Sequence, residues 1–266
     1  MAIIFDGRAF AAQKRELLKS KIEPLGKKGA APHLASVIVG DNPASLLYVG
    51  LKKKAAEQIG AKVDIYHLGN NTKKEELVDL IESLNKDASV HGIMIQLPLP
   101  QGLSGDKETI ISQINPKKDV DGLRADSPFL HPTSKAVIEI LNSAKTLLKR
   151  KPELVCVVGS SGMVGMPLVK ELKKENYKVI ECSSLTKNLR EKTQDADVVV
   201  STTGKENIIG AEDVKNQAIV IDVGSPKADV DFNKVLSKSA FITPVPGGVG
   251  PVTITCLLEN LIAAAG

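Results

Sequence analysis

The stretch LVCVVGSSGMVG, Leu154–Gly165, joins a short apolar run to a glycine-rich turn. Leu154–Val158 reads as a buried strand, and Gly159-Ser160-Ser161-Gly162-Met163-Val164-Gly165 opens a helix predicted over Met166–Glu175. Glycines permit a tight turn and close backbone approach, and a helix N-terminus offers free N–H groups to an anion. A doubly wound fold seats a dinucleotide pyrophosphate at such a place. Ser161 stands where G-x-G-x-x-G has its middle glycine, so the turn alone fits a cofactor loop and an ordinary strand–helix connection equally well.

Working outward, Lys178–Cys182, Asp197–Ser201 and Ala218–Val223 read as further buried strands. Thr202-Thr203-Gly204 follows the second and Gly224 the third, so small residues occupy crevice positions at carboxyl ends, with Asp222 and Val223 just before. Ser183 and Ser184 end the Lys178–Cys182 strand and offer hydroxyls to a 2′-phosphate, which leans toward NADP. They read equally well as helix caps. Glu181 is near the distance of an NAD-type acid but lies inside its strand.

Toward the N-terminus the same alternation recurs. Helices are predicted over 8–23, 44–59 and 73–86, with strands at Leu34–Val39, Lys62–His67 and Gly92–Leu97, the last stopped by Pro98 and Pro100. Thr133–Lys149 is a long amphipathic helix, and a final helix covers Val252–Ala264. Repeated strand–helix units mean parallel sheets with helical crossovers. The expected fold is therefore α/β: two αβ lobes, the second a Rossmann-like doubly wound parallel sheet, with an active-site cleft between them. The polar, Pro-containing stretch Arg124–Pro132 marks the boundary, giving a catalytic lobe at 1–123, completed by a returning C-terminal helix at 251–266, and a dinucleotide lobe at 124–250.

Composition narrows the function. A formal charge of +4 and an aromatic content of 3% over 266 residues lack the clustered basic and aromatic residues of a nucleic-acid binder. No apolar run approaches the ~18 residues of a membrane span, and the N-terminal MAIIFD is too short in apolar run for a signal peptide. Cys156, Cys182 and Cys256 are dispersed, as are the four histidines, so no metal site is legible; reduced cysteines fit the cytoplasm.

Three further segments carry a resemblance. Gly40–Lys52, GDNPASLLYVGLK, fits G-x-x-x-x-S-x-x-Y-x-x-x-K; Gln96-Leu97-Pro98-Leu99-Pro100 reads Q-L-P-L-P; Pro246–Thr253, PGGVGPVT, fits P-G-G-V-G-P-x-T. With Asp119-Val120-Asp121-Gly122 and Asp222-Val223-Gly224, these motifs run in order from the first helix to the last. The chain resembles the bifunctional methylenetetrahydrofolate dehydrogenase/methenyltetrahydrofolate cyclohydrolase family.

The resemblance implies two linked reactions on tetrahydrofolate derivatives. Hydride passes from methylenetetrahydrofolate to NADP, and water then opens the methenyl product to formyltetrahydrofolate. It implies Lys52 as general acid/base, its pKa brought near working pH by burial, with Gln96 orienting the ammonium and Tyr48, four residues before Lys52 and on the same helix face, set against the substrate's ring. Asp121 is implied as the carboxylate for the pterin head group. Ser45, Leu97, Pro98, Pro246, Gly247 and Gly248 complete the implied substrate contacts, with no metal. A homodimer, and a place in one-carbon metabolism and purine biosynthesis, are also implied. Ser160 stands where many NADP-using members carry arginine, which keeps NAD open, and the shortened stretch 123–132 rebuilds one wall of the folate pocket. A related dehydrogenase of another small substrate, and a non-catalytic NADP(H)- or folate-binding protein, are the competing readings.

Overall fold

The apolar runs become parallel strands, most of them buried on both faces, as such strands must be. A computed structural model describes residues 2–27 and 31–266; Met1, where the N-terminal stretch begins, lies outside them. In chain order the elements are β1 (Ile3–Ile4), α1 (Gly7–Lys27), β2 (His33–Val39), α2 (Pro43–Gln58), β3 (Lys62–Leu68), α3 (Lys74–Lys86), β4 (Gly92–Ile95), α4 (Gln101–Ser104) and α5 (Lys107–Ser112). They continue with α6 (Pro132–Leu148), β5 (Leu154–Val158), α7 (Gly165–Lys174), β6 (Lys178–Cys182), α8 (Leu189–Gln194), β7 (Val198–Ser201), β8 (Ala218–Asp222), α9 (Phe232–Leu236), β9 (Ser239–Ile242) and α10 (Val249–Ala265).

Contacts divide the chain into two units, Met1–Ala12 with Thr133–Thr253, and Gln13–Pro132 with Ile254–Gly266. The first holds a six-stranded parallel sheet in the order β1-β9-β8-β7-β5-β6. Strand order reverses around β5, with β6 on one side and β7 on the other, so the crevice of a doubly wound sheet opens past the carboxyl ends of β5 and β7. Val158, Val199, Val220 and Ile242 belong to its wholly buried core.

The second unit is built on a three-stranded parallel sheet, β3-β2-β4. Period-two alternation sorts its residues: Leu34, Ile38 and Met94 face one core with Leu257, Leu258 and Leu261 of α10, while Ala35, Val37, Ile93 and Ile95 face the other with Leu77 and Ile81 of α3. Gly92 starts β4 without a side chain because a Cβ there would lie 2.8 Å from Leu261 Cδ1 and 2.9 Å from Val120.

The division departs from the expected domain bounds in two places. The first twelve residues belong with the dinucleotide sheet, because Ile3 and Ile4 pair with Phe241 and Ile242 and Phe5 packs on Phe241 at 5.5 Å. The stretch 124–132 belongs with the smaller sheet, where Asp119 takes N–H bonds from Leu123 and Arg124 and Asn260 donates to the Leu130 carbonyl. The final helix belongs with that unit from Ile254 onward.

Leu261→Ala should cost about 2–5 kcal/mol, because Leu261 is wholly buried against β4. The expected readout is a lower urea midpoint with native secondary structure retained before the transition.

Candidate active site

Helix α2 starts where Asn42 caps it: Asn42 Oδ1 accepts the Ser45 N–H at 3.0 Å, and Pro43 takes the first turn, where a missing N–H costs nothing. This sets the register that puts Ser45, Tyr48 and Lys52 on one helix face. Ser45 is buried, and Tyr48 and Lys52 are half-buried.

Lys52 Nζ donates to Gln96 Oε1 at 3.0 Å and to Met94 Sδ at 3.0 Å. Met94 and Gln96 are two apart along β4 and its extension, so they share a face; Gln96 N–H still donates to Val37 O at 2.8 Å although β4 proper ends at Ile95. Gln96 Nε2 donates to Leu97 O at 2.8 Å, which aims the amide oxygen at the ammonium. The peptide bond from Leu97 to Pro98 is cis. Burial pulls the Lys52 pKa below its ordinary 10.5, and the Asp121 charge opposes that shift without cancelling it.

Asp121 is held by its neighbours. Asn260 of α10 donates to both Val120 O at 2.9 Å and Leu130 O at 3.0 Å. Gly122 has φ +61°, and a Cβ on it would sit 2.6 Å from Phe129 O and 2.8 Å from His131 N. Residues 120–122 and 129–131 therefore lie directly against each other. Asp119, wholly buried and with its pKa raised mainly by that burial, anchors the turn.

The other unit carries the glycine turn. Gly159 takes φ +90°, with its Cα face against Thr202 Oγ1, and a Cβ on Gly165 would collide with Gly159 O, so α7 begins hard against the turn. Gly159 N–H and both the N–H and hydroxyl of Ser160 donate to Cys182 O at 2.8, 3.0 and 3.1 Å. The Ser160 hydroxyl is thus committed to β6, whereas Ser161, Gly162 and Met163 are exposed and Val164 is half-buried. Ser183 Oγ accepts the Leu185 N–H, and Ser184 is exposed beside it.

Past β7, Thr203 and Gly204 hang on Asp229. Its Oδ2 accepts from Ser201 Oγ at 2.7 Å, Thr203 N–H at 2.7 Å, Thr203 Oγ1 at 2.9 Å and Gly204 N–H at 3.3 Å. Asp222 is buried and accepts the N–H groups of Gly224, Asp229 and Val230; burial raises its pKa against those bonds. Val223 is half-buried between the two anchored groups. Pro246 is exposed; Gly247 adopts φ +103°, and Gly248 packs so that a Cβ would lie 2.5 Å from Pro244 O. A Cβ on Gly7 would collide with Gly248 O.

Two clusters thus emerge. Lys52, Gln96, Tyr48, Ser45, Leu97, Pro98 and Asp121 lie in the smaller-sheet unit, and the glycine turn, Ser183–Ser184, Thr202–Gly204, Asp222–Gly224 and Pro246–Gly248 lie in the other. Asp119 entered the sequence reading only as a member of its motif, and Met94, Asn260, His131, Asp229 and Gly7 escaped it as site residues. Of these only Met94 had a visible signal, its two-residue offset from Gln96.

A doubly wound parallel sheet with a glycine turn at its switch point, joined in one chain to a unit that buries a lysine against a glutamine, defines an NAD(P)-binding α/β enzyme. Residues 5–121 match the family described as tetrahydrofolate dehydrogenase/cyclohydrolase, catalytic domain, and residues 131–266 match its NAD(P)-binding domain. The chain belongs to the tetrahydrofolate dehydrogenase/cyclohydrolase family. It is 42% identical to the bifunctional protein FolD of Bacillus pumilus over 99% of this chain and 98% of that protein. A crystal structure of the bifunctional FolD dehydrogenase/cyclohydrolase of Campylobacter jejuni superposes with a TM-score of 0.92 at 40% identity, covering 100% of this chain and 99% of that one. The Trypanosoma brucei FolD, complexed with NADP cofactor and inhibitor, gives a TM-score of 0.91 at 32% identity, over 99% of this chain and 97% of that one.

Asp229→Ala removes the acceptor for four donors around the Thr202–Gly204 turn. Stability should fall by on the order of 3 kcal/mol, and calorimetric affinity for NADP should weaken with it.

Proposed function

We propose that the chain oxidises methylenetetrahydrofolate with NADP and hydrolyses the methenyl product to formyltetrahydrofolate, with Lys52 as the proton-transferring group of the second step. The bond from Lys52 Nζ to Gln96 Oε1 at 3.0 Å carries this reading. It fixes an amine whose pKa burial pulls below the ordinary lysine value, the direction acid–base work requires.

NADP, when bound, accepts the hydride from the one-carbon bridge. The chain's residues fit it: the Gly159–Gly165 turn leads into α7, and Thr202–Gly204 and Asp222–Gly224 lie at the carboxyl ends of neighbouring strands, where nucleotide ligands bind. Ser161–Gly165 would hold the pyrophosphate. Ser160 contributes through its backbone, since its hydroxyl serves Cys182 O. Ser183 and Ser184 offer neutral hydroxyls to the 2′-phosphate.

In hydrolysis, water adds to the methenyl carbon and neutral Lys52 takes the proton it sheds. The resulting ammonium, held by Gln96, returns that proton to the nitrogen released as the ring opens, and the remaining hydroxyl proton leaves as the formyl group forms. Tyr48 lies against the folate ring, Asp121 accepts pterin N–H donors, and Ser45, Leu97 and Pro98 line the approach. Pro246, Gly247 and Gly248 keep their substrate role on the family motif alone.

We place the protein in the cytoplasm as a homodimer that supplies formyl groups to purine biosynthesis. Three buried free cysteines suit a reducing compartment, and the dimer rests on the family resemblance. Among the described residues no helix is long and apolar enough to cross a membrane, and no cluster of three or more His, Cys, Asp or Glu suits a metal ion.

Lys52→Met should lower cyclohydrolase turnover by about 10²-fold or more while NADP binding persists. Lys52→Arg keeps the charge but cannot deprotonate, so it should fail at hydrolysis too; normal methenyltetrahydrofolate hydrolysis by the arginine variant removes Lys52 from proton transfer. Hydrolysis in the native enzyme should slow as pH falls through the Lys52 pKa, because protonation there removes the base.

A further inference from the structure

His131 stands on the shortened stretch that follows Gly122, and the reaction scheme above makes no use of it. It is buried at 8% exposure, and its backbone N lies where a Gly122 Cβ would approach to 2.8 Å. Asn260 bonds the carbonyl of the residue before Asp121 and the carbonyl of the residue before His131, so one amide holds the two side by side.

We propose that His131 is a positioning residue for folate binding: as a neutral imidazole it leaves the Asp121 carboxylate to pterin N–H donors, and in mild acid its imidazolium competes for that carboxylate. The proposal rests on the assignment of Asp121 to the pterin.

The charges that act on His131 are Asp121, on the adjoining segment, and Lys52, on α2; α10 presents the uncharged Asn260 to the same two segments. Asp119 lies one step further out, where it senses Asp121. Burial disfavours protonation of the imidazole, Asp121 favours it and Lys52 opposes it, so His131 charges below the ordinary histidine range. Both half-reactions bind folate, so the acid form should raise KM for folate in each. Loss of the Lys52 base instead lowers hydrolytic kcat.

Proton NMR of the full-length protein, with His131 assigned among the four histidines by His131→Gln, tests the coupling directly. The His131 midpoint should rise in Lys52→Met and fall in Asp121→Asn, each by on the order of half a pH unit or more; a midpoint unmoved by both overturns the proposal. In the dehydrogenase assay, KM for methylenetetrahydrofolate should climb severalfold only as pH falls below about 6.5, with kcat less affected, and the climb should vanish in His131→Asn. A climb that persists in His131→Asn, or a loss confined to kcat, also overturns it. Asn260 donates to the backbone carbonyls of Val120 and Leu130, which these variants leave in place. If methylenetetrahydrofolate is not turned over at all, the folate assignment fails separately, and the titration still decides whether His131 and Asp121 are coupled.

Discussion

The ammonium of Lys52 is the group around which the smaller unit is organised, because a buried cation must be compensated or give up its proton. Its compensation here is deliberately incomplete. One neutral amide oxygen and one thioether sulfur accept from Nζ, and the carboxylate that acts on it, Asp121, does so through space. A direct salt bridge would hold the lysine permanently protonated and useless as a base. A wholly apolar pocket would leave it neutral and unable to return a proton. Gln96 and Met94 accept from the charged form, while burial pulls the lysine pKa down.

That balance depends on rigid supports. The Gln96 amide is aimed by its own bond to Leu97 O and by the backbone bond to Val37, so it moves only if β4 moves against β2. Lys52 is aimed by the helix whose first turn Asn42 caps. Side chains placed on a strand and a helix hold their geometry better than side chains on loops. Asp121, which is on a loop, is given equivalent rigidity by Asn260 and by the absence of a side chain at Gly122.

The fold was legible wherever an apolar run of four or more residues lay between polar turns. β5 and β6 match their sequence reading residue for residue, and β2, β3, β7 and β8 differ by a residue at one end. β1 is two residues long, with Ile4 exposed, and the four residues of β9 include Ser239, so neither announces itself by periodicity; they are held by pairing with each other and by Phe5 against Phe241. Of the proposed site, the Lys52–Gln96 pair was legible because each residue belongs to a contiguous motif. Its supports were not: Asn260 lies 140 positions from Val120 and 130 from Leu130, and no local pattern foretells a partner that only the returning C-terminal helix brings near.

Four aspartates show why residue type alone could not separate chemistry from scaffold. Asp119 and Asp222 occur in nearly the same setting, Asp-Val followed closely by Gly, and both point their oxygens at backbone N–H groups of the turn that follows. Asp229 does the same for Thr203 and Gly204 and adds two hydroxyls. Each is a buried carboxylate spent on loop geometry, since a buried acceptor with several donors is stable and a bare one is not. Asp121 sits two residues from Asp119 in the same motif, yet among the described residues it accepts no hydrogen bond, and it is half-buried. An ionisable acceptor left open at the end of a rigid turn, beside a lysine it influences, is available to a ligand in a way the other three are not. That difference in bonding separates Asp121 from the three structural carboxylates.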